Sequence, residues 1–227
     1  MTLSTSLETG RCDRWRMRLP LLLATVWTAA ALTGCSGLFH SDARPEQVYY
    51  LSATPGPQGL APIATSLRLN RPSAGPGLEG TQIKLVQSDR RMSFYQEARW
   101  PASPANLVEM LAVEKLRGSG VWQSVADSAS PFPSDYVLLV NVRRFEADYT
   151  GGTVAPEVHV VLDCIIGKRE GREVIKSFLA EGSVPAAANK LGAVVAAFEA
   201  ATNAALDSME AQTLEAVRPA LANKAAD

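Results

Sequence analysis

The run YVLLVNV at residues 136–142, continuing to Phe145, limits what this chain can fold into more than any other feature. Rich in β-branched residues and broken only by Asn141 before Arg143, it reads as a strand. Because its apolar residues fall on both faces, it predicts a central strand covered on both sides. Such a strand needs neighbours, and the chain supplies them. Residues 158–166 and 172–179 flank GKREG at 167–171, the pattern of a β-hairpin. After the hairpin comes an alanine-rich segment, about 186–217, predicted as one long helix. Leu191, Val194, Val195, Phe198, Ala201, Ala205 and Met209 form its stripe at helical spacing. Small residues in that stripe let it approach a sheet or a second helix closely, and core packing or a partner surface would both use it.

Upstream, VYYL at 48–51 and SLRL at 66–69 are strand candidates. The first is followed by Pro55, Pro57 and Gly59, the second by Pro72, Pro76 and Gly77. QIKLV at 82–86 and MSFY at 92–95 surround SDRR, which predicts a hairpin. Ser103 followed by Pro104 marks a helix start, with the serine at the N-cap and the proline at the first helical position. Leu107, Met110, Leu111 and Leu116 recur near helical spacing before Gly118, a natural stop. A short strand over 121–125 and a loop with Pro131 and Pro133 complete the series. The sequence has no internal repeat. Two helices need a sheet to cover, so the expected class is α/β: a mixed β-sheet covered by two main helices in a two- or three-layer sandwich.

The first 34 residues belong to a different physical class. Arg11, Arg14, Arg16 and Arg18 precede the apolar stretch 19–32, the order of an export signal. That stretch is too short for a comfortable membrane span of about 20 residues. It ends in Leu32-Thr33-Gly34-Cys35, the pattern of a lipobox, in which a thiol takes a diacylglyceryl group before cleavage on its N-terminal side. We therefore expect a lipoprotein signal peptide over 1–34 and lipidation at Cys35. A lipidated linker over 35–47, a domain over 48–217 and a C-terminal tail over 218–227 would follow. More than one acyl chain makes such an anchor durable. Ser36 after the cysteine points to the periplasmic face of the outer membrane, with the inner membrane as the lesser alternative.

Charge and reactive groups narrow the function. Four of the 22 basic and two of the 23 acidic residues lie in 1–34, which leaves 18 and 21 in the mature chain, a mildly acidic balance. Nucleic acid is thus not an expected partner, since phosphate neutralisation needs a basic surface. Once Cys12 is removed and Cys35 acylated, Cys164 stands alone within an apolar run and reads as a small buried hydrophobe. His159 alternates with Val158 and Val160 and reads as a strand's polar face. Asp135, Glu157, Asp163 and Glu173 are scattered at strand ends and turns. With so little to build on, no catalytic residue, cofactor or metal is expected. Trp100 and Trp122 read as core or edge-packing residues, although a hydrophobic cargo would call for an apolar groove lined by such aromatics.

Several stretches carry a family resemblance. They are VYYLS at 48–52, LRLNRP at 67–72 leading to PGL at 76–78, QIKLV at 82–86, FYQEARW at 94–100 and YVLLVNVRRF at 136–145. In this order and behind a lipobox, the chain resembles the ABC-type transport auxiliary lipoprotein family, which includes paraquat-inducible protein C-like proteins. The resemblance implies a non-enzymatic accessory of an envelope transport system for lipids or hydrophobic compounds. Its implied partners are an MCE-type substrate-binding protein and ABC permease and ATPase subunits. In keeping with that role, the sequence lacks the G-x-x-x-x-G-K-[ST] phosphate loop of an ATPase. Homo-oligomerisation is left open. The alternative is an outer-membrane lipoprotein that regulates cell-wall synthesis or forms a secretion assembly, since related domains share an α/β layout.

Overall fold

The computed structural model describes residues 45–56 and 59–224. The elements are β1 (Gln47–Val48), β2 (Ile63–Leu69), β3 (Ser73–Ala74), β4 (Gln82–Val86), β5 (Met92–Arg99), α1 (Pro104–Gly118), β6 (Trp122–Ala126), β7 (Tyr136–Asp148), β8 (Glu157–Lys168), a 3-10 turn (Glu170–Arg172), β9 (Val174–Pro185) and α2 (Leu191–Lys224). Among the described residues the nine strands form one mixed sheet organised around β7. One edge of β7 pairs antiparallel with β8, from Tyr136 opposite Lys168 to Asp148 opposite Glu157, and β8 pairs antiparallel with β9. Three short parallel strands share the other edge in succession. They are β2 along 136–138, β3 along 141–142 and β4 along 147–148. Beyond them, β6 adds parallel to β2, β5 adds antiparallel to β4, and β1 adds parallel to β5.

Side chains alternate across this sheet, and among the described residues only one face is covered. Leu138, Val140 and Val142 of β7 and Val158, Val160, Leu162, Cys164 and Ile166 of β8 are buried. A bulge between Val142 and Arg144 restores the inward phase, so Phe145 and Ala147 also enter the core. Both helices pack on this face: α2 on β8 and β9, α1 on β6 and β7, with the helices also touching each other. The expectation that β7 is covered on both sides is therefore corrected. Leu139 is 44% exposed beside a fully buried Leu138. An apolar run looks the same whether its second face is covered or carries an exposed apolar strip, and a sheet built largely from antiparallel pairs tolerates an open face. The sandwich has two layers.

The core centres on three rings. Trp100 meets Phe145 and Phe198 edge-on at centroid distances of 5.8 and 5.1 Å, and Phe145 lies 5.1 Å from Phe198. Nearby, Gly182 of β9 packs directly on the α2 backbone, so close that a Cβ there would lie 1.9 Å from the Ala201 carbonyl oxygen. The small residues of the α2 stripe thus serve close approach to the sheet.

Local differences from the sequence reading have local causes. Of the first strand candidate, 48–51, only Val48 lies in β1 and Tyr49 adds one bond, its N donating to the Arg99 carbonyl at 2.9 Å; the chain then leaves the sheet to cross α2. β3 forms inside the proline-bounded stretch because β7 offers free edge positions at 141–142. Ser103 occupies the N-cap of α1 without a side-chain bond, its carbonyl instead accepting from Leu107 N at 2.9 Å. Gly118 is still helical, and the left-handed turn falls at Gly120, φ 65°. The second helix begins at Leu191 rather than 186 because β9 runs to Pro185, and it continues through Pro219 to Lys224.

Candidate functional site

Cys35, the expected lipid site, and the signal segment lie outside the described residues. The described part begins where a tether would join the body, and that junction is a built structure. β1 is pinned to β5 by its ladder and by the Glu46–Arg99 ion pair at 2.9 Å. Residues 49–56 then form a strap across α2. After Tyr49, whose N still donates to the Arg99 carbonyl of β5 at 2.9 Å, its backbone groups bond to side chains. Ser52 N donates to Glu199 Oε2 at 2.9 Å, Thr54 N to Asn203 Oδ1 at 2.7 Å, and Asn203 Nδ2 to the Ser52 carbonyl at 2.9 Å.

Beneath the strap lies a charge cluster with a buried lysine at its centre. Lys115, on the inward face of α1, is fully buried. Its Nζ donates to the Thr54 carbonyl at 3.1 Å and pairs with Asp207 Oδ1 at 2.5 Å. Glu210 is also buried, one turn from Asp207 on α2. Burial pushes its carboxyl above the usual range, and the Ser119 hydroxyl and Lys115 ammonium pull it back only in part. Gly56 fits here because a Cβ would lie 2.6 Å from Glu210 Oε2 and 2.8 Å from Ser119 Cβ. The cluster joins strap, α1 and α2 in one contact. A lysine in step with Leu107 and Leu111 is a visible signal of it, yet the sequence reading passed over Lys115.

The uncovered face of the sheet has two chemically distinct ends. Around the β7 C-terminus, Glu146 accepts from Arg144 Nε at 2.7 Å and pairs with Lys84 at 2.9 Å, while Arg144 also reaches Asp148 at 2.8 Å. His159 lies on this polar side as expected, with Nδ1 2.7 Å from Ser183 Oγ and Nε2 3.7 Å from Glu157. Asp148 is buried enough to resist ionisation, but hydrogen bonds from Thr150 and Arg144 outweigh that and hold its carboxyl below the usual range. At the other end, Val137, Leu139, Ile165 and Val174 line a groove of about 400 Å³ with Lys168, Arg169 and Arg172.

The remaining singled-out residues do not converge on a site. Asp135 accepts from Ser66 N at 2.8 Å and Oγ at 2.7 Å, tying the β7 entrance to β2; Glu173 sits at the groove rim, 3.3 Å from Lys168 Nζ, and Asp163 lies opposite Asn141 in mid-sheet. Cys164 is buried, and burial pushes its thiol up to about 12. Trp100 and Trp122 are buried and line no groove on the open face. Among the described residues, no group of three His, Cys, Asp or Glu side chains could hold a metal, and no helix is long and apolar enough to cross a membrane.

A family model described as ABC-type transport auxiliary lipoprotein component matches residues 49–210. The chain belongs to the ABC-type transport auxiliary lipoprotein family. Within this family's fold, the chain is similar to the crystal structure of protein XCC0632 from Xanthomonas campestris, of the DUF330 family. Identity is 25% and the TM-score 0.69, over 76% of this chain and 97% of that one. A second crystal structure, of an uncharacterized protein, is 14% identical with a TM-score of 0.52, over 71% and 99% of the two chains, and is alike in fold alone. No curated protein matches the chain significantly. The span matched to the transport auxiliary family opens at Tyr49 and closes at Glu210, so it takes in both sides of the strap contact. The strap is part of the family module rather than of a linker.

Proposed function

We propose that the protein is a lipoprotein anchored at the periplasmic face of the outer membrane, acting as the non-enzymatic auxiliary subunit of an ABC/MCE-type envelope transport system for lipids or hydrophobic compounds. In this reading the signal peptide 1–34 is removed, Cys35 becomes the acylated N-terminus, 35–47 is the linker, and 48–217 docks on an MCE-type substrate-binding protein and the permease and ATPase subunits. The observation that carries it is the order of two features in one chain: Leu32-Thr33-Gly34-Cys35 behind an export-type apolar stretch, then a transport auxiliary domain from Tyr49. The locked strap supports the same reading, since a domain held at a membrane by its N-terminus gains from a junction that does not fray.

The test has two arms. Cells fed a clickable fatty acid should label the parent protein and leave Cys35→Ser unlabelled and released from the outer-membrane fraction. Affinity purification of the full-length lipoprotein from solubilised envelopes should recover an MCE-type protein or permease. An unlabelled parent refutes the anchor, and repeated recovery of neither partner refutes the transport role.

A further inference from the structure

The groove on the open face combines an apolar floor with a rim of three cations, Lys168, Arg169 and Arg172, against one lining carboxylate, Glu173. Leu139 and Val174 are 44% and 62% exposed, on a face that carries no helix among the described residues. At the rim, Lys168 is engaged by Glu173 at 3.3 Å, whereas among the described residues no ion pair engages the guanidinium of Arg169 or Arg172. Their backbone is fixed all the same. Arg169 N donates to the Asp135 carbonyl at 2.9 Å, and Arg172 sits in the left-handed region at φ 54° beside Gly171 at φ 72°. A non-glycine residue held there marks a turn whose geometry is imposed by its surroundings.

We propose that this groove holds an acyl-chain segment of an anionic phospholipid, with Arg169 and Arg172 on its phosphate. The proposal deepens the function given above and rests on it for access to bilayer lipid. Size and charge favour this occupant over a protein. A stable protein interface covers about 800 Å² per partner, but the apolar floor is confined to one end of the sheet. Along β7 and β8 it stops at Asn141 and Asp163, with Leu179 of β9 the exposed apolar residue beside Asp163, and it gives way to the Lys84, Arg144, Glu146 and Asp148 network. Across β7, β8 and β9 it measures roughly 10 Å, the scale of part of one chain, and its volume falls in the range of small-molecule sites. Guanidinium pairs bind phosphate by forked, charge-assisted hydrogen bonds.

Photo-crosslinking of the full-length lipoprotein in cells grown on radiolabelled phosphate tests this directly. A photoreactive residue at position 139 should yield protein carrying radioactive phosphorus. The same probe at Met110, exposed on α1, should not. Arg169→Glu with Arg172→Glu should lower the label at 139 by about tenfold, the loss of one or more charge-assisted bonds. A diacylglyceryl anchor contains no phosphorus, so a groove filled by the protein's own Cys35 chains leaves it unlabelled and overturns the proposal. A protein adduct at 139, equal label at both sites, or undiminished label in a double variant that still fractionates and resists protease as the parent does would overturn it too. Partner recovery without lipid label refutes this inference alone, whereas lipid label without partner recovery refutes the transport role and leaves the groove standing.

Discussion

Gly182→Ala adds a single methyl group, and the structure gives it nowhere to go. The new Cβ would lie 1.9 Å from the Ala201 carbonyl oxygen, 2.8 Å from its carbonyl carbon and 3.0 Å from Ala205 N. All three are backbone atoms of α2, so no rotamer change relieves the clash. Ordinary contact at 3.4 Å requires the helix to retreat by about 1.5 Å. A radial gap of ~0.5–1 Å already forfeits a quarter to a half of a dispersion well, and the retreating face carries Val194, Phe198, Leu206 and Met209, all fully buried. Overpacking alone costs ~1–3 kcal/mol, and partial loss of this face raises the expected penalty to about 4 kcal/mol. Urea unfolding followed by the fluorescence of buried Trp100 and Trp122 should show it. At a slope of roughly 2 kcal/mol/M the midpoint falls by about 2 M. Gly192→Ala, with open space around its Cβ, should leave the midpoint unchanged or raise it slightly. A Gly182→Ala midpoint within ~0.5 M of the parent would refute direct backbone packing of α2 on β9.

Leu138→Ala should cost about 3 kcal/mol and Leu139→Ala under ~1, since adjacent residues of β7 face the core and the uncovered side; equal penalties by denaturant unfolding would contradict the open face. Asn203→Ala removes the bonds to Thr54 and Ser52 and should cost about 1–2 kcal/mol while speeding proteolytic cleavage within residues 49–56, read by mass spectrometry of timed digests. Glu210 has a raised folded pKa, so its contribution to stability is full below its unfolded pKa and is lost as pH rises through the folded value. Glu210→Gln should therefore gain stability relative to the parent at neutral pH and lose that advantage near pH ~4, as thermal midpoints at the two values will show. Asp148 has the opposite sign: its stability is present above the unfolded pKa and is lost as pH falls through the lowered folded one, so Asp148→Asn should destabilise at neutral pH and converge with the parent in acid.

Much of this fold is written in local pattern, and what is not has an identifiable reason. The β7 run, the 167–171 turn and the Leu191 to Met209 stripe announce themselves because each satisfies its own periodicity within a few residues. Helix α1 is equally plain from Ser103-Pro104 and its leucines. The strap is not, because Tyr49, Tyr50 and Leu51 have strand composition while the groups that hold the next residues, Glu199 and Asn203, lie about 150 positions away. Nor could the number of layers be read. Val137 and Leu139 are as apolar as Leu138 and Val140, and only the landing of both helices on one face decides which pair is left uncovered. Of the site residues, Cys35 is purely a reading of sequence, Lys115 was legible as a charge in an apolar stripe, and Arg169 and Arg172 gain meaning only when the turn sets them beside Val174.

If the domain is tethered and the groove occupied as proposed, the two built features would divide the mechanical and chemical tasks of such a subunit between opposite layers. In that case a load entering at Pro45 would pass into β1 and the strap. It would then enter α1 through Lys115 and α2 through Glu199, Asn203 and Asp207, which would make the helical layer the one that resists tension. The sheet's uncovered face takes no part in those bonds. Its groove can therefore gain or lose an occupant while the junction stays closed, because Gly182 holds sheet and α2 at fixed backbone contact and leaves no slack for one layer to shift on the other. Loosening that contact should couple the two tasks. A stable, partly relaxed variant at 182 would be expected to fray at residues 49–56 and to lose affinity at 139 together, whereas a strap variant such as Asn203→Ala should change the first and spare the second.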